Sequence, residues 1–273
     1  MTDATAWKGQ VGDTWAEEWR RTDRSFADLD PHLHAAIAAT APNARTIVDL
    51  GSGAGATGLA VAAARSEARV TGIDLSRALV AVARARGEGL SNLGFRLGDA
   101  ATGAAAMAPV DLYISRHGVM FFPDPVAAFA QLHESAAPSA ALVFSCFAAR
   151  EQNEWAEVIG EAVGELPPLV PGAPGPFAFD DPDRVAAILG DAGWRDPTPA
   201  SITFRYLVGV GPDPVADALA FFRRIGPAAP LLRAAPPGER TAMEERLAAV
   251  LRERVTEGKI DFAAAAWLWS ARA

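Results

Sequence analysis

The 273 residues predict an α/β protein built on a doubly wound parallel sheet. Three observations carry that expectation. A buried strand runs into a glycine turn and then a helix over residues 46–62. Strand and helix then alternate up to residue 147. Acids close three consecutive strands at Asp49, Asp74 and Asp99. Parallel strands joined by helices demand right-handed crossovers, and ligands of such sheets sit at the strands' carboxyl ends.

Half of the residues are hydrophobic, ample for one domain with additions around it. A net charge of −8 argues against nucleic acid or an acidic membrane surface as partner. The single cysteine, Cys146, excludes an internal disulfide and a cysteine-rich metal site, and reads as a small buried apolar residue. Residues 1–13 are polar, without the apolar segment of a signal peptide, and no apolar run is long enough to span a bilayer. The expectation is a soluble, cytoplasmic, single-domain protein over residues 1–273 that binds no metal.

In chain order, residues 12–33 read as one amphipathic helix. Trp15, Trp19, Thr22, Phe26 and Leu29 lie on one side, with Glu17, Glu18, Arg20 and Arg24 on the other. The helix continues over 35–41 until Pro42 breaks it. Segment 1–44 is expected to be a helical lid, with Trp7, Trp15 and Trp19 bordering a ligand; a core role explains the same aromatics. His32 and His34 are two apart and read as surface residues. Strands are expected over 46–50, 69–73, 92–97, 110–115 and 141–147, with a turn at Pro138–Ser139. Helices should follow at 55–66, at 77–86 behind a Ser76 cap, and from Asp124–Pro125 to about 135. Beyond 147 the alternation lapses. Helices are expected over 151–166, 183–192, 214–225 and 238–256, a loop over 167–176, and strands over 201–208 and 262–271. The surplus helices, in 151–180 and 209–258, are expected to form a cap over the carboxyl ends of the strands.

The chemistry rests on the turn Gly51-Ser52-Gly53-Ala54-Gly55 and on the three acids. Glycines let a ligand lie against bare backbone, and a strand-end carboxylate can accept two hydrogen bonds from a ribose diol or one from an amine. Two cofactors suit this arrangement. The series Gly51, Gly53, Ala56 satisfies a dinucleotide fingerprint, with Asp74 near the ribose, as in an NAD(P)-dependent oxidoreductase. S-adenosylmethionine carries the same adenosine but a cationic sulfonium and an amino acid in place of a pyrophosphate. Asp49 would repel a pyrophosphate and attract a cation. Short-chain hydride-transfer enzymes also use a Tyr–Lys pair, and neither Tyr113 nor Tyr206 has a lysine four residues on.

Val48-Asp49-Leu50-Gly51-Ser52-Gly53-Ala54-Gly55 resembles the first motif of class I S-adenosylmethionine-dependent methyltransferases. Gly72–Ser76 is similar to their acidic second-strand motif, and Gly98-Asp99-Ala100 to their adenine-side motif. Residues 115–125 resemble the segment after the fourth strand in the small-molecule branch near the ubiquinone/menaquinone-biosynthesis methyltransferases. Residues 174–179 resemble bacterial methyltransferases of unassigned substrate. The resemblance implies a Rossmann-like sheet of seven strands, mostly parallel, with an antiparallel last strand. It implies that Asp49 and the backbone at Gly51 and Gly53 hold the methionine end, with Ser52 and Gly55 also at the cofactor, that Asp74 takes the ribose hydroxyls with Leu75 against the adenine, and that Asp99 and the Ala100 amide meet the adenine edge. Ser115 and Arg116 would contact the methionine moiety, Arg116 gripping its carboxylate or pairing with a neighbouring acid. The implied reaction is direct displacement. The resemblance says little about the acceptor. The aromatics of the cap, with Trp15, Trp19 and Phe177 as candidates near it, make a small, apolar or aromatic acceptor the expectation, although a core explains the same residues. His117 is the first candidate for a general base if the acceptor is a hydroxyl, against a structural hydrogen bond in the turn. A non-catalytic methyltransferase-like binding subunit is the alternative outside enzymes.

Overall fold

The computed structural model describes residues 4–164, 166 and 168–273. Met1–Asp3, at the start of the expected lid, lie outside the described residues, as do Glu165 and Pro167 at the junction of an expected helix and loop. Among the described residues, seven strands form one sheet: β1 (Thr46–Leu50), β2 (Arg69–Asp74), β3 (Leu93–Leu97), β4 (Val110–Arg116), β5 (Ala136–Phe147), β6 (Arg195–Gly209) and β7 (Ile260–Arg272). Their order is β3-β2-β1-β4-β5-β7-β6, parallel from β3 to β5, with β7 antiparallel to both of its neighbours. The order reverses beside β1, which puts the topological switch point at the Gly51–Gly55 turn.

The central strands are buried on both faces. Ile47, Val48 and Leu50 of β1, Leu112, Tyr113 and Ile114 of β4, and Ala141–Phe144 of β5 are all sealed from solvent, as near-continuous apolar runs in a parallel sheet require. The Asp111 carboxylate accepts from the Arg45 and Thr46 amides, both at 2.8 Å, and sets the start of β1. The helices beside these strands begin where the sequence supplies a cap. Ser76 accepts from the Leu79 amide at 3.2 Å, Asp99 from Thr102 at 2.9 Å and Asp124 from Ala127 at 3.0 Å.

Five expectations need correction. The N-terminal segment is not one helix but Ala4–Lys8, Gln10–Glu17, Trp19–Ser25 and Asp30–Thr40. The turn after Ser25 sets Phe26 among the rings of His117, Phe147, Phe204 and Tyr206, and burying that ring outweighs unbroken helix. Pro138 and Ser139 fall within β5, where the ladder to β4 jumps from Val110 opposite Ala136 to Leu112 opposite Ala141; proline, lacking an N–H, is accommodated at such an irregularity. The helix expected from 151 starts at Glu154, after a short 3-10 turn, Arg150–Gln152. The wholly buried Asn153 causes the break: its amide nitrogen donates to the Ala148 and Ala149 carbonyls, and its oxygen accepts from Ala265 and from the Trp155 indole. An extra helix, Ala228–Ala234, occupies the expected link before Pro237–Glu253. His34 is half-buried rather than on the surface, and His133 packs edge-on to Trp194 at 5.6 Å. Cys146 is buried as expected, and burial pushes its thiol pKa up. No helix among the described residues is long and apolar enough to cross a membrane.

Candidate active site

The carboxyl ends of β1, β2 and β4 open into a cavity of about 550 Å³. Gly51, Ser52 and Gly53 form its floor. The turn needs left-handed backbone at Gly51 and Gly53 (φ 62° and 53°), and a side chain at Gly53 would meet nothing within 4 Å. The backbone there is therefore bare toward the cavity. The Ser52 amide donates to the Ile73 carbonyl at 3.0 Å, which fastens the turn to the end of β2.

Asp49 and Asp74 line this floor, and both are nearly sealed from solvent. Asp49 accepts from the Gly58 amide at 3.0 Å. Burial pushes its pKa up to about 7 against the pull of Arg116 and of that amide, and the neighbouring Asp74 adds to the rise. Asp74 spreads its two oxygens over the Ser76 and Gly53 amides, each at 2.8 Å. Burial raises its pKa too, with these two amides opposing. Asp99 and Ala100 lie at the rim with Leu75, and Asp99 keeps one oxygen beyond its cap to Thr102. All of these expected residues are gathered in one cavity.

Two expected residues are not. Gly55 lies off the cavity, at the start of the helix Ala56–Ala64, and a side chain there would run into Phe95. Ser115 is wholly buried behind the floor: its hydroxyl donates to the Leu50 carbonyl at 2.7 Å and accepts from the Gly118 amide at 3.2 Å. It braces the turn rather than facing a ligand. Arg116 lines the cavity but is already committed, to Asp23 at 2.7 Å and Asp30 at 3.0 Å. Burial works against its charge, yet these two carboxylates hold its pKa above the ordinary value. Of its two expected roles, the structure displays the pairing with acids.

The far wall is aromatic. Trp7, Trp15 and Trp19 come from the N-terminal segment, and Phe26, Phe147, Trp155, Phe177 and Tyr206 form a contiguous ring cluster. Trp7 meets Trp15 and Phe121 edge-on at 5.5 and 5.1 Å, and Arg86 lies 3.9 Å over the Trp19 ring. The expected Trp15, Trp19 and Phe177 thus share the cavity with the acids.

His117 also lines it, with left-handed backbone (φ 57°) and Nδ1 2.9 Å from the Ser145 hydroxyl. Burial, reinforced by Arg116, drops its pKa to about 3. An imidazole that holds a proton so weakly is a poor general base near neutrality, so the structural hydrogen bond is the role on display.

The sequence did not single out Asp23 and Asp30 as partners of Arg116, nor Phe147 and Tyr206 as cavity walls. Only the position of Phe147 at the end of a strand offered a signal. Among the described residues no cluster of His, Cys, Asp and Glu could hold a metal ion.

Residues 47–139, about a third of the chain, match the family model for a methyltransferase domain. No curated protein matches the chain in sequence. Among solved structures, one from work on the conversion of a disulfide bond into a thioacetal group during echinomycin biosynthesis superposes with a TM-score of 0.57, at 19% identity, over 89% of this chain and 81% of that one. A methyltransferase-like protein from Bacillus halodurans C-125 superposes with a TM-score of 0.51, at 16% identity, over 89% of this chain and 97% of that one. These likenesses establish the fold, and nothing in them extends to the ubiquinone/menaquinone-type branch. The family match falls on the strands whose ends carry Asp49, Asp74 and Asp99, so residues 47–139 are similar to a methyltransferase domain at the part of the sheet that forms the cavity floor.

Proposed function

We propose that the chain moves a methyl group from S-adenosylmethionine to a small apolar or aromatic acceptor. The observation that carries this reading is the two-sided cavity: buried carboxylates and bare glycine backbone on one side, a ring cluster on the other. The residues present fit the cofactor. Ser52 Oγ in the glycine turn and Trp7 Nε1 in the cavity lining are buried with no partner among the described residues. Asp49 is held near half-ionisation for want of a neighbouring cation strong enough to offset its burial, and the cofactor brings a sulfonium and an ammonium group.

When bound, the cofactor supplies an activated methyl on a positively charged sulfur that is a good leaving group. The chain supplies alignment and dryness. Asp49 with the backbone of Gly51 and Gly53 holds the methionine end, Asp74 the ribose hydroxyls, and Leu75, Asp99 and Ala100 the adenine. Arg116 keeps its pairing with Asp23 and Asp30, which ties the N-terminal segment to the end of β4. Segment 1–44 serves as the lid through Trp7, Trp15 and Trp19, and segments 151–180 and 209–258 act as a cap of the same single domain. With no strong base at hand, an acceptor that is already nucleophilic suits the site best.

Calorimetry with S-adenosylmethionine tests this. The wild-type chain should bind, and Asp74→Ala should weaken binding by tenfold or more, since two charge-assisted hydrogen bonds are lost. No binding by the wild-type chain, or undiminished binding by the variant, would sink the reading.

A further inference from the structure

The ring cluster holds few polar atoms, and all but one are satisfied. The Trp155 indole donates to the Asn153 side chain at 3.3 Å, and the Tyr206 hydroxyl is engaged by Ser25. The exception is His117 Nε2, which is closed off from solvent and has no partner among the described residues. The imidazole stands between Phe26 and Phe147, at ring distances of 4.7 and 4.3 Å, and forms part of the cavity wall.

Which nitrogen carries the proton follows from Ser145. Its hydroxyl is wholly buried and has His117 Nδ1 as its one partner among the described residues. Were Nδ1 protonated and donating, both the Ser145 hydrogen and the bare Nε2 would be left unpaired, two unmade buried groups against one in the other tautomer. With Ser145 donating to Nδ1, both atoms are satisfied and the single proton of the neutral ring sits on Nε2. The buried Nε2–H is then a donor with nothing to donate to.

We propose that the His117 Nε2–H fixes an oxygen of the methyl acceptor — a carbonyl, phenol or enolate oxygen on a planar molecule seated among Phe26, Phe147, Trp155, Phe177 and Tyr206. This rests on the methyltransferase reading above and deepens it: His117 is a substrate-binding donor and Ser145 the positioning residue that sets its tautomer. The donor sits too deep for bulk water, so an acceptor oxygen reaches it only by shifting a flanking ring. Planar molecules without such an oxygen leave the donor unpaired and are discriminated against.

Two measurements on the full chain saturated with S-adenosylhomocysteine test the proposal. Two-bond proton–nitrogen correlation spectra report the tautomer of each of the four histidines, and His117→Gly, which suits the left-handed backbone, identifies the resonance. A protonated Nε2 and bare Nδ1 are expected for His117, with the preference eroded in Ser145→Ala. Tryptophan quenching by 2-naphthol and by naphthalene reads the donor itself. The wild-type chain should bind 2-naphthol about tenfold more tightly than naphthalene, and His117→Gly should bind the two alike. A protonated Nδ1 in the wild-type chain, or equal affinity for the two probes, overturns the proposal while leaving cofactor binding intact. Failure of S-adenosylhomocysteine to bind takes down the methyltransferase reading and this one with it.

Discussion

Replacing Asp49 by asparagine removes a strongly perturbed buried carboxylate from the cavity while keeping an oxygen for the Gly58 amide. In the folded chain its pKa rises from 3.8 to about 7, chiefly through burial. Between those two values the folded state holds a proton that the unfolded chain has released. Stability of the cofactor-free protein therefore falls as pH rises through that window, by about 1.4 kcal/mol per pH unit, and levels off above pH 7 at a loss of roughly 4 kcal/mol. The carboxamide of the Asp49→Asn variant does not titrate. The difference between variant and wild type should accordingly grow from pH 4.5 to pH 8 by about 2–4 kcal/mol in favour of the variant, the lower figure allowing for relaxation around the buried charge. Urea melts without cofactor at pH 4.5, 6 and 8 measure this. A difference that stays flat across the three would show that Asp49 is not held near pH 7 and refute the burial argument. The same carboxylate links binding to protons. A cation beside Asp49 favours its ionised form, so wild-type affinity for S-adenosylmethionine should weaken up to tenfold per pH unit below 7 and level off above it. Binding near pH 6 should release a proton, seen as a dependence of the calorimetric heat on the buffer's ionisation enthalpy. Affinity that is constant from pH 6 to 8 would contradict it.

Other perturbations follow from packing. A β-carbon at Gly12 would collide with the Trp7 carbonyl and the Ser76 hydroxyl, so Gly12→Ala should cost about 1–3 kcal/mol. It should also lift the N-terminal segment, giving faster limited proteolysis within residues 4–25; unchanged cleavage would argue that the segment is not held by this contact. Asp23→Asn removes the carboxylate that bridges Arg86 and Arg116, each at 2.7 Å. The expected loss is about 3 kcal/mol, the low end for breaking a largely buried pair, because Asp30 still faces Arg116. A loss below ~1 kcal/mol in chemical denaturation would place the pair among weak surface bridges.

What was legible in the sequence was local. The alternation of strands and helices, the glycine turn and the helix starts at Ser76 and Asp124 depend on residues within a few positions of one another, and each stands in the structure within a few residues of its expected place. The acids could be read because a parallel sheet brings the ends of its strands to one edge, so Asp49, Asp74 and Asp99 meet at one cavity once the strands are known. Gly55 and Ser115 lie in the same motifs, yet they turn to Phe95 and to the Leu50 carbonyl, because adjacent residues of a turn or strand face different ways.

What tertiary structure alone decided depends on partners far along the chain. Arg116 is bound to Asp23 and Asp30, and the His117 nitrogen to Ser145. The helical pattern of residues 12–33 carries no mark of the breaks that place Phe26 against His117 and Phe147. A pKa near 7 for Asp49 and near 3 for His117 comes from the removal of water by residues of many elements, a property that no single stretch encodes. The sequence by itself determined that Asp49, Asp74 and the glycine turn would meet at one sheet edge, since that follows from strand ends and a turn. The aromatic wall and His117 Nε2, unpaired among the described residues, exist only once β5, β6 and the N-terminal segment close around the cavity, because burial and hydrogen-bond satisfaction are decided by what packs against a group and not by its neighbours in sequence.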